Sequence, residues 1–588
     1  MKPENRNLIL AVVLSMAVLF GWQIMVVQPE IEKEQARLDM MAKQARESGQ
    51  PVDSATPAAP AMGAVGTPQV AGVAGAPMGE DRPAETATRV IIDAPLVKGS
   101  FSLQGARIDD IILTGYRETL KSDSDNIHFL KKFSSESPYF AEFGWSVADN
   151  SQPMPSAKTL WQADRTLLSP SSPVTLRWDN GNGLTFVRKI SINDDYLITY
   201  NDQVESRLDQ AVTLFPYGLV RRQGTPATSG LYILHEGPLG VFDETLNEQD
   251  YGDLKDAGGN GITVTPTTAG GWIGITDKYW LAALLPSQTE KFSFSFKSLP
   301  GRSDRYQVDY IDQTGMTLAA GGVVAVEGRL FAGAKKVALL DQYKDKYGIP
   351  NFDLAIDFGW FYFLTKPFFY ALSWLYHLFG NFGVATLAFT VVVKLAFFPL
   401  ANKSYHSMAK MRVLAPKLQS LRETYGDDRM RLNQEMMALY KAEKVNPAAG
   451  CLPVLLQIPV FFALYKVLFV TIEMRHAPFF GWIADLSAPD PTSVFNLFGI
   501  LPYSVDFLPP FLQLGIWPIL MGISMFLQMR LNPAPPDPVQ AKIFQFMPLF
   551  FTFLLATFPA GLVIYWTWNN LLSMAQQWFI LKRVTKAS

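Results

Sequence analysis

Cysteine is nearly absent. Cys451 is the only one in 588 residues, so no internal disulfide holds any part of the chain. Histidine is scarce, with five residues, and charge is thin: 18% of residues are charged against 48% hydrophobic and 13% aromatic, a poor ratio for a soluble protein. The net charge of -2 carries little meaning as a sum, because Lys and Arg beside apolar runs are what orient a membrane chain. No G-x-x-x-x-G-K-[ST] phosphate loop occurs. A nucleotide-driven machine is therefore not indicated. The length exceeds what one core holds, and the apolar residues are segregated at the N-terminus and after Ile356, with a middle that reads as an ordinary soluble domain.

Lys2 and Arg6, in the cytoplasmic segment 1–7, precede an apolar run, 8–27, of bilayer-spanning length. It is longer than a signal-peptide core and is followed by bulky Met25-Val26-Val27 rather than a cleavage site, which predicts an uncleaved anchor. Residues 28–88 form a tether, charged and helix-forming in composition over Glu30–Arg46 and then rich in Pro, Ala, Gly and Val from Gln50 to Thr88, where it cannot bury a core. From 89 to 342 the period changes to two. Runs such as VTLRWDNGNGLTFVRKISI and KFSFSFKSL, broken by Asn-Gly and Gly-Gly turns, predict a large antiparallel sandwich outside the membrane. His235-Glu236 lies in a Gly/Pro loop there and reads as surface rather than as an acid/base pair.

Residues 351–380 are apolar and aromatic but carry Lys366-Pro367 and His377, which suits an interfacial helix on the outer surface. Residues 381–400 then run inward. The segment 401–446 is a basic cytoplasmic helical hairpin broken at Gly426-Asp427-Asp428, with Asp427 the expected N-cap. Its Met408, Met411, Met430, Met436 and Met437 read as hairpin core rather than as a binding surface. Residues 451–472 return outward despite Pro453 and Pro459, and 473–512 form an outer loop. Residues 513–529 go in, 530–542 make an inner loop, 543–558 go out, 561–581 come back in, and 582–588 are a basic tail. Six spans place each basic segment on the cytoplasmic side.

Polar residues fall at helical spacing inside three spans. Thr386, Thr390 and Lys394 share one face, Ser524 and Gln528 another, and Trp566, Asn570, Ser573 and Gln577 a third. Pro399 lies five residues beyond Lys394, so the cation starts roughly 8 Å inside the helix end at 1.5 Å per residue. That is within a leaflet of about 15 Å. An intramembrane cation costs up to about 3 kcal/mol at mid-bilayer and usually faces a wet cavity. The competing reading is a Lys394 that snorkels to the headgroups and amides that glue helices together; the converging stripes favour the cavity.

SMAKMRVLAPK, EMMALYKAEKVNPAAGCLPVLLQIPVFFALY, MRHAPFFGWIADLSAPDP and FPAGLVIYWTWNN resemble the YidC/Oxa/Alb family of membrane protein insertases, and the order of anchor, tether and β-domain is similar to its Gram-negative members. The resemblance implies a polytopic α-helical protein of the bacterial inner membrane, with six spans, a five-helix insertase core and both termini cytoplasmic. It also implies a hydrophilic groove open to cytoplasm and lipid, and a periplasmic antiparallel β-supersandwich similar to sugar mutarotases but without that activity. Neither enzymatic chemistry nor a cofactor is implied. Lys394 matches the positive groove residue, where bacterial relatives usually carry arginine; the charge is kept and the planar fork lost. Thr390, Gln528 and Trp566 match groove positions, and Leu452, Pro453, Leu554 and Tyr565 match the greasy slide for the incoming helix. Lys403, Lys410, Arg412, Lys417 and Arg422 in the hairpin, with Lys582 and Arg583 in the tail, match the face that meets ribosomes and the signal-recognition targeting machinery. Nascent membrane proteins, Sec translocon components and the lipid bilayer complete the implied partners.

Two other classes fit less well. An intramembrane hydrolase needs a base beside its nucleophile, yet His377 and His476 fall at outer edges and Ser524 and Ser573 have no histidine on a neighbouring span. A polar-groove solute transporter would suit the stripes, but paired charges and an inverted repeat are missing.

Overall fold

Side chains alternate between core and surface along the strand segments, as period-two sequences dictate; Leu184–Ile192, LTFVRKISI, is a clear case. The computed structural model describes residues 88–148, 152–228, 234–258, 261–299, 301, 304–425, 428–443, 452–501, 503, 505, 507–509, 512–531 and 538–587. The expected anchor 8–27, nearly all of the tether 28–88, Asp427 and Cys451 lie outside them.

Among the described residues the strands form an eleven-stranded and a nine-stranded sheet. In the larger, Val212–Gln223 lies between Tyr139–Ser146 and Arg305–Asp312. In the smaller, Leu197–Ser206 lies between Leu184–Ile192 and Val323–Ala334. Pairing is antiparallel with one correction to the expectation: Arg89–Asp93 runs parallel to Leu167–Leu168. A parallel pair needs a long crossover, and the chain between these two segments provides it. Trp145 from the larger sheet and Trp272 from the smaller are fully buried in the shared core. Between neighbouring strands of the smaller sheet, Arg188 donates Nε to Asp202 Oδ1 and NH2 to Oδ2, both at 2.6 Å, with each side chain almost wholly buried. Gly99 sits at φ 144° within strand Val97–Ser102, and a Cβ there would lie 1.9 Å from the Asp110 carbonyl oxygen of the neighbouring strand, whose close approach excludes any side chain.

Helix α1, Val337–Tyr347, leaves the last strand and ends on Gly348 in the left-handed region. α2, Tyr362–Phe379, carries Lys366, whose ammonium reaches back to Asp341 on α1 at 2.7 Å and to buried Asp353 at 2.6 Å. This pairing is what makes the lysine tolerable in an apolar helix. Arg475 adds a second tie by donating to the Arg117 carbonyl of the sandwich at 2.6 Å.

α3 spans Phe382–Ala396 and α4 Phe398–Tyr425. Residues 381–400 were expected as one inward run; instead the axis bends by 67° between these two helices. Pro399 explains the break, since its ring clashes with the carbonyl four residues back and it suits the first turn of a new helix. Lys394 therefore stands two residues from the end of α3, nearer than the five counted to Pro399. α5, Arg429–Ala442, starts at Asp428, whose carboxylate accepts from the amides of Met430 at 3.1 Å and Arg431 at 3.0 Å. The cap is thus Asp428 and not Asp427, because only the residue next to the first turn reaches those amides. α6 is Leu452–Val470, α7 Ile516–Leu531, α8 Pro538–Leu554 and α9 Ala560–Ala587. Among the described residues no single helix is long and apolar enough to cross a membrane, whereas α3 with the first part of α4 is, as a bent pair.

Candidate functional site

The threonines of α3 satisfy themselves. Thr386 and Thr390 donate their hydroxyls to the carbonyls four residues back, Phe382 at 2.9 Å and Thr386 at 2.7 Å, as such residues do in apolar helices. Lys394 reaches across instead. Its ammonium donates to Ser573 Oγ of α9 at 2.8 Å, and Ser573 in turn donates to the Asn569 carbonyl at 2.7 Å. No carboxylate pairs with Lys394 among the described residues.

Lys394 lies on the wall of a cavity of about 90 Å³ between α3, α4, α6, α7 and α9, room for several waters. Thr390, Gln528, Tyr565 and Ser573, singled out from the sequence, line it. So do Tyr405, Gln457, Asn569 and Gln576, which sequence reasoning missed. Gln576 Nε2 is buried with no hydrogen-bond partner, an arrangement water in the cavity would relieve. The opposing wall is apolar: Val393, Phe397, Leu400, Val460 and Leu464.

The remaining candidates lie elsewhere. Asn570 Nδ2 donates to Ser524 Oγ at 3.0 Å, and Gln577 Nε2 donates to the Leu531 carbonyl at 3.1 Å. Those contacts join α9 to α7 as interhelical hydrogen bonds, so Ser524, Asn570 and Gln577 are not on the cavity wall, nor is Thr386. Trp566 is packed against Phe461 and Phe551, with ring centroids 4.7 and 5.6 Å away. The polar stripe of α9 covers more than one face. Asn569 and Gln576 stand one position before Asn570 and Gln577, with Ser573 between them at steps of four and three, a signal present in the sequence and passed over.

Of the expected slide, Tyr565 is buried in the cavity wall and Leu554 is partly exposed at the end of α8; Leu452 and Pro453 open α6. Lys403 and Lys410 are exposed on α4, Lys417 pairs with Glu443 at 2.8 Å, Arg422 is half-buried, and Lys582 lies over the Trp578 ring. Arg412 and Arg583 belong to α4 and α9 respectively. Among the described residues no cluster of His, Cys, Asp and Glu suits a metal.

The family described as "60Kd inner membrane protein" matches residues 374–587, and the one described as "YidC periplasmic domain" matches 89–371. A membrane protein insertase YidC of Granulibacter bethesdensis is 51% identical over 99% of this chain and 98% of its own. The chain belongs to the YidC family. A YidC insertase of Methylobacterium nodulans is 50% identical over 99% of this chain and 96% of its own, and one of Bradyrhizobium diazoefficiens is 50% identical over 99% and 97%. A crystal structure of an active YidC insertase with its first transmembrane domain resolved aligns at 16% identity over 84% of this chain and 92% of that one. Its TM-score is 0.33. YidC proteins are inner-membrane proteins with a periplasmic domain, here the two-sheet sandwich, joined to a helical C-terminal part.

Proposed function

We propose that this protein inserts integral membrane proteins into the bacterial inner membrane and helps them fold and assemble, alone or with the Sec translocon, and that the Lys394 cavity receives the polar part of the client. The observation that carries this reading is Lys394 itself: a cation bonded to a neutral serine, among amides and hydroxyls, between helices of a chain half-identical to named insertases. A carboxylate partner would neutralise it. None pairs with it among the described residues, and its field is available to an acidic or polar tail.

In this reading residues 8–27, the bent α3–α4 pair and α6 to α9 give six spans, both termini cytoplasmic, with α2 lying at the outer interface. Thr390, Lys394, Gln528 and the missed Gln457, Asn569 and Gln576 hydrate a half-cavity that lowers the cost of bringing a polar tail partway across. The client's apolar helix leaves sideways along Tyr565 and Leu554, driven by its own partitioning into lipid. The membrane potential adds about 2.3 kcal/mol per charge per 100 mV. The hairpin α4–α5 and the end of α9 meet the ribosome and the signal-recognition machinery through their exposed lysines.

A photocrosslinker in place of Gln528 tests the path. Adducts with a ribosome-stalled client that depend on nascent-chain length are expected there and not from Val392, which is exposed on the outer face of α3. Equal crosslinking from both positions, or none from either, would sink the groove.

A further inference from the structure

A second cavity, of about 1170 Å³, opens where the sandwich meets the helices. Its two walls differ in kind. On the sandwich side Glu248 and Asp250 stand exposed at the rim. Glu248 makes no salt bridge among the described residues, and Asp250 only a 3.7 Å contact with His235. The deeper charges are committed: Lys466 pairs with Asp357 at 2.8 Å, and the same carboxylate accepts the His235 amide at 3.2 Å. Tyr251 lies in this wall, 7% exposed, with its hydroxyl turned into the protein. Its charged neighbour Arg222 is engaged by Asp277 at 2.6 Å.

The other wall is α6. Ile458, Phe462, Tyr465 and Lys466 line the cavity along about 12 Å of helix at 1.5 Å per residue, close to the ~15 Å of one hydrocarbon leaflet. Ile458 and Phe462 are still 42% and 46% exposed, so the wall continues onto the outer face of α6. At the mouth Trp360 is 97% exposed, the residue type that favours the headgroup level. The cavity thus joins one carboxylate without a salt bridge among the described residues, a second 3.7 Å from His235 and an aromatic lining to an apolar track of acyl-chain length.

We propose that this cavity binds an amine-bearing phospholipid that enters sideways from the outer leaflet. The ammonium sits between Glu248 and Asp250 and against aromatic faces, where a cation is attracted by the ring quadrupole. The upper acyl chain lies along Phe462 and Ile458. A basic peptide would satisfy the carboxylates but leave that apolar track uncovered, which is why the lipid is favoured. The inference rests on α6 being a span, as proposed above.

The test is native mass spectrometry of the full-length protein released from nanodiscs of equal phosphatidylethanolamine and phosphatidylglycerol. Retention of phosphatidylethanolamine at least about tenfold above phosphatidylglycerol is expected, falling to parity in the double variant Glu248→Gln/Asp250→Asn. Trp360→Ala, at a fully exposed site, should lower retention without any shift in melting temperature. Equal retention of both lipids by the parent overturns the proposal, as does a preference that survives the double variant. Displacement of the lipid by a basic decapeptide at equimolar concentration overturns it in favour of a polypeptide ligand. Client insertion measured in parallel separates this from the groove: loss of insertion in a Lys394 variant that keeps its lipid concerns the groove alone.

Discussion

Lys394 can be changed in steps of charge, and the arrangement around it sets the size of each step. A client carboxylate about 6 Å from the ammonium gains about 1.4 kcal/mol at an effective dielectric of about 40, intermediate between a protein surface and water. Lys394→Met forfeits that attraction, and insertion of an acidic-tailed client should fall about tenfold. Lys394→Glu turns it into repulsion, a swing of about 2.8 kcal/mol, or roughly a hundredfold. Lys394→Arg keeps the charge and should stay within about twofold of the parent. The bond to Ser573 is lost in the Met variant too, so a client with an uncharged tail serves as the control for structural damage. The assay is protease protection of a small single-span client in proteoliposomes under a membrane potential. If Lys394→Glu inserts the acidic client at the parental rate, or if both clients fall equally, the electrostatic reasoning is refuted.

Three further outcomes follow from the geometry. Burial raises the pKa of Asp353, but hydrogen bonds from Lys366, Tyr362 and Lys344 outweigh it and hold the carboxyl at about 2 against an ordinary 3.8; the stability this gives, about 2 kcal/mol, is present above pH 4 and lost as pH falls towards 2. Thermal melts of parent and Asp353→Asn should therefore converge across that window, and a constant difference would count against the pairing. Asp202→Ala leaves Arg188 unpaired in the sandwich core and should destabilise the sandwich by about 3–5 kcal/mol, read as a lower melting temperature by tryptophan fluorescence; unchanged melting would contradict the buried pair. Replacing Lys403, Lys410 and Lys417 by Gln should weaken ribosome binding and flatten its salt dependence by about 2 to 3 in log–log slope, measured by cosedimentation; an unaltered slope would move the contact off this face.

Several features were legible because they depend on spacing alone. Period-two runs announced the sandwich, and the Thr390–Lys394 step put both on the wall they now line. Gln528 and Ser573 were found by the same rule. What spacing could not tell is which flank of a helix meets which neighbour. α9 carries Asn569 and Asn570 side by side; successive helix positions are about 100° apart, so one faces the Lys394 cavity and the other the Ser524 hydroxyl. Gln457 was passed over in an apolar, Pro-interrupted run, and it matters only because α6 presents it to the residues of α3.

By itself the sequence determined the class of molecule, the order of its parts and the identity of the unusual cation, because composition, period and local charge are properties of neighbours along the chain. Tertiary structure decided the rest: the 67° bend after Lys394, its serine partner 179 residues away, and the wide cavity between sheet edge and α6. Each depends on surfaces brought together from distant segments, and the packing of apolar faces that does so is non-directional. The pattern of a helix says that a face will be covered, and only the fold says by what.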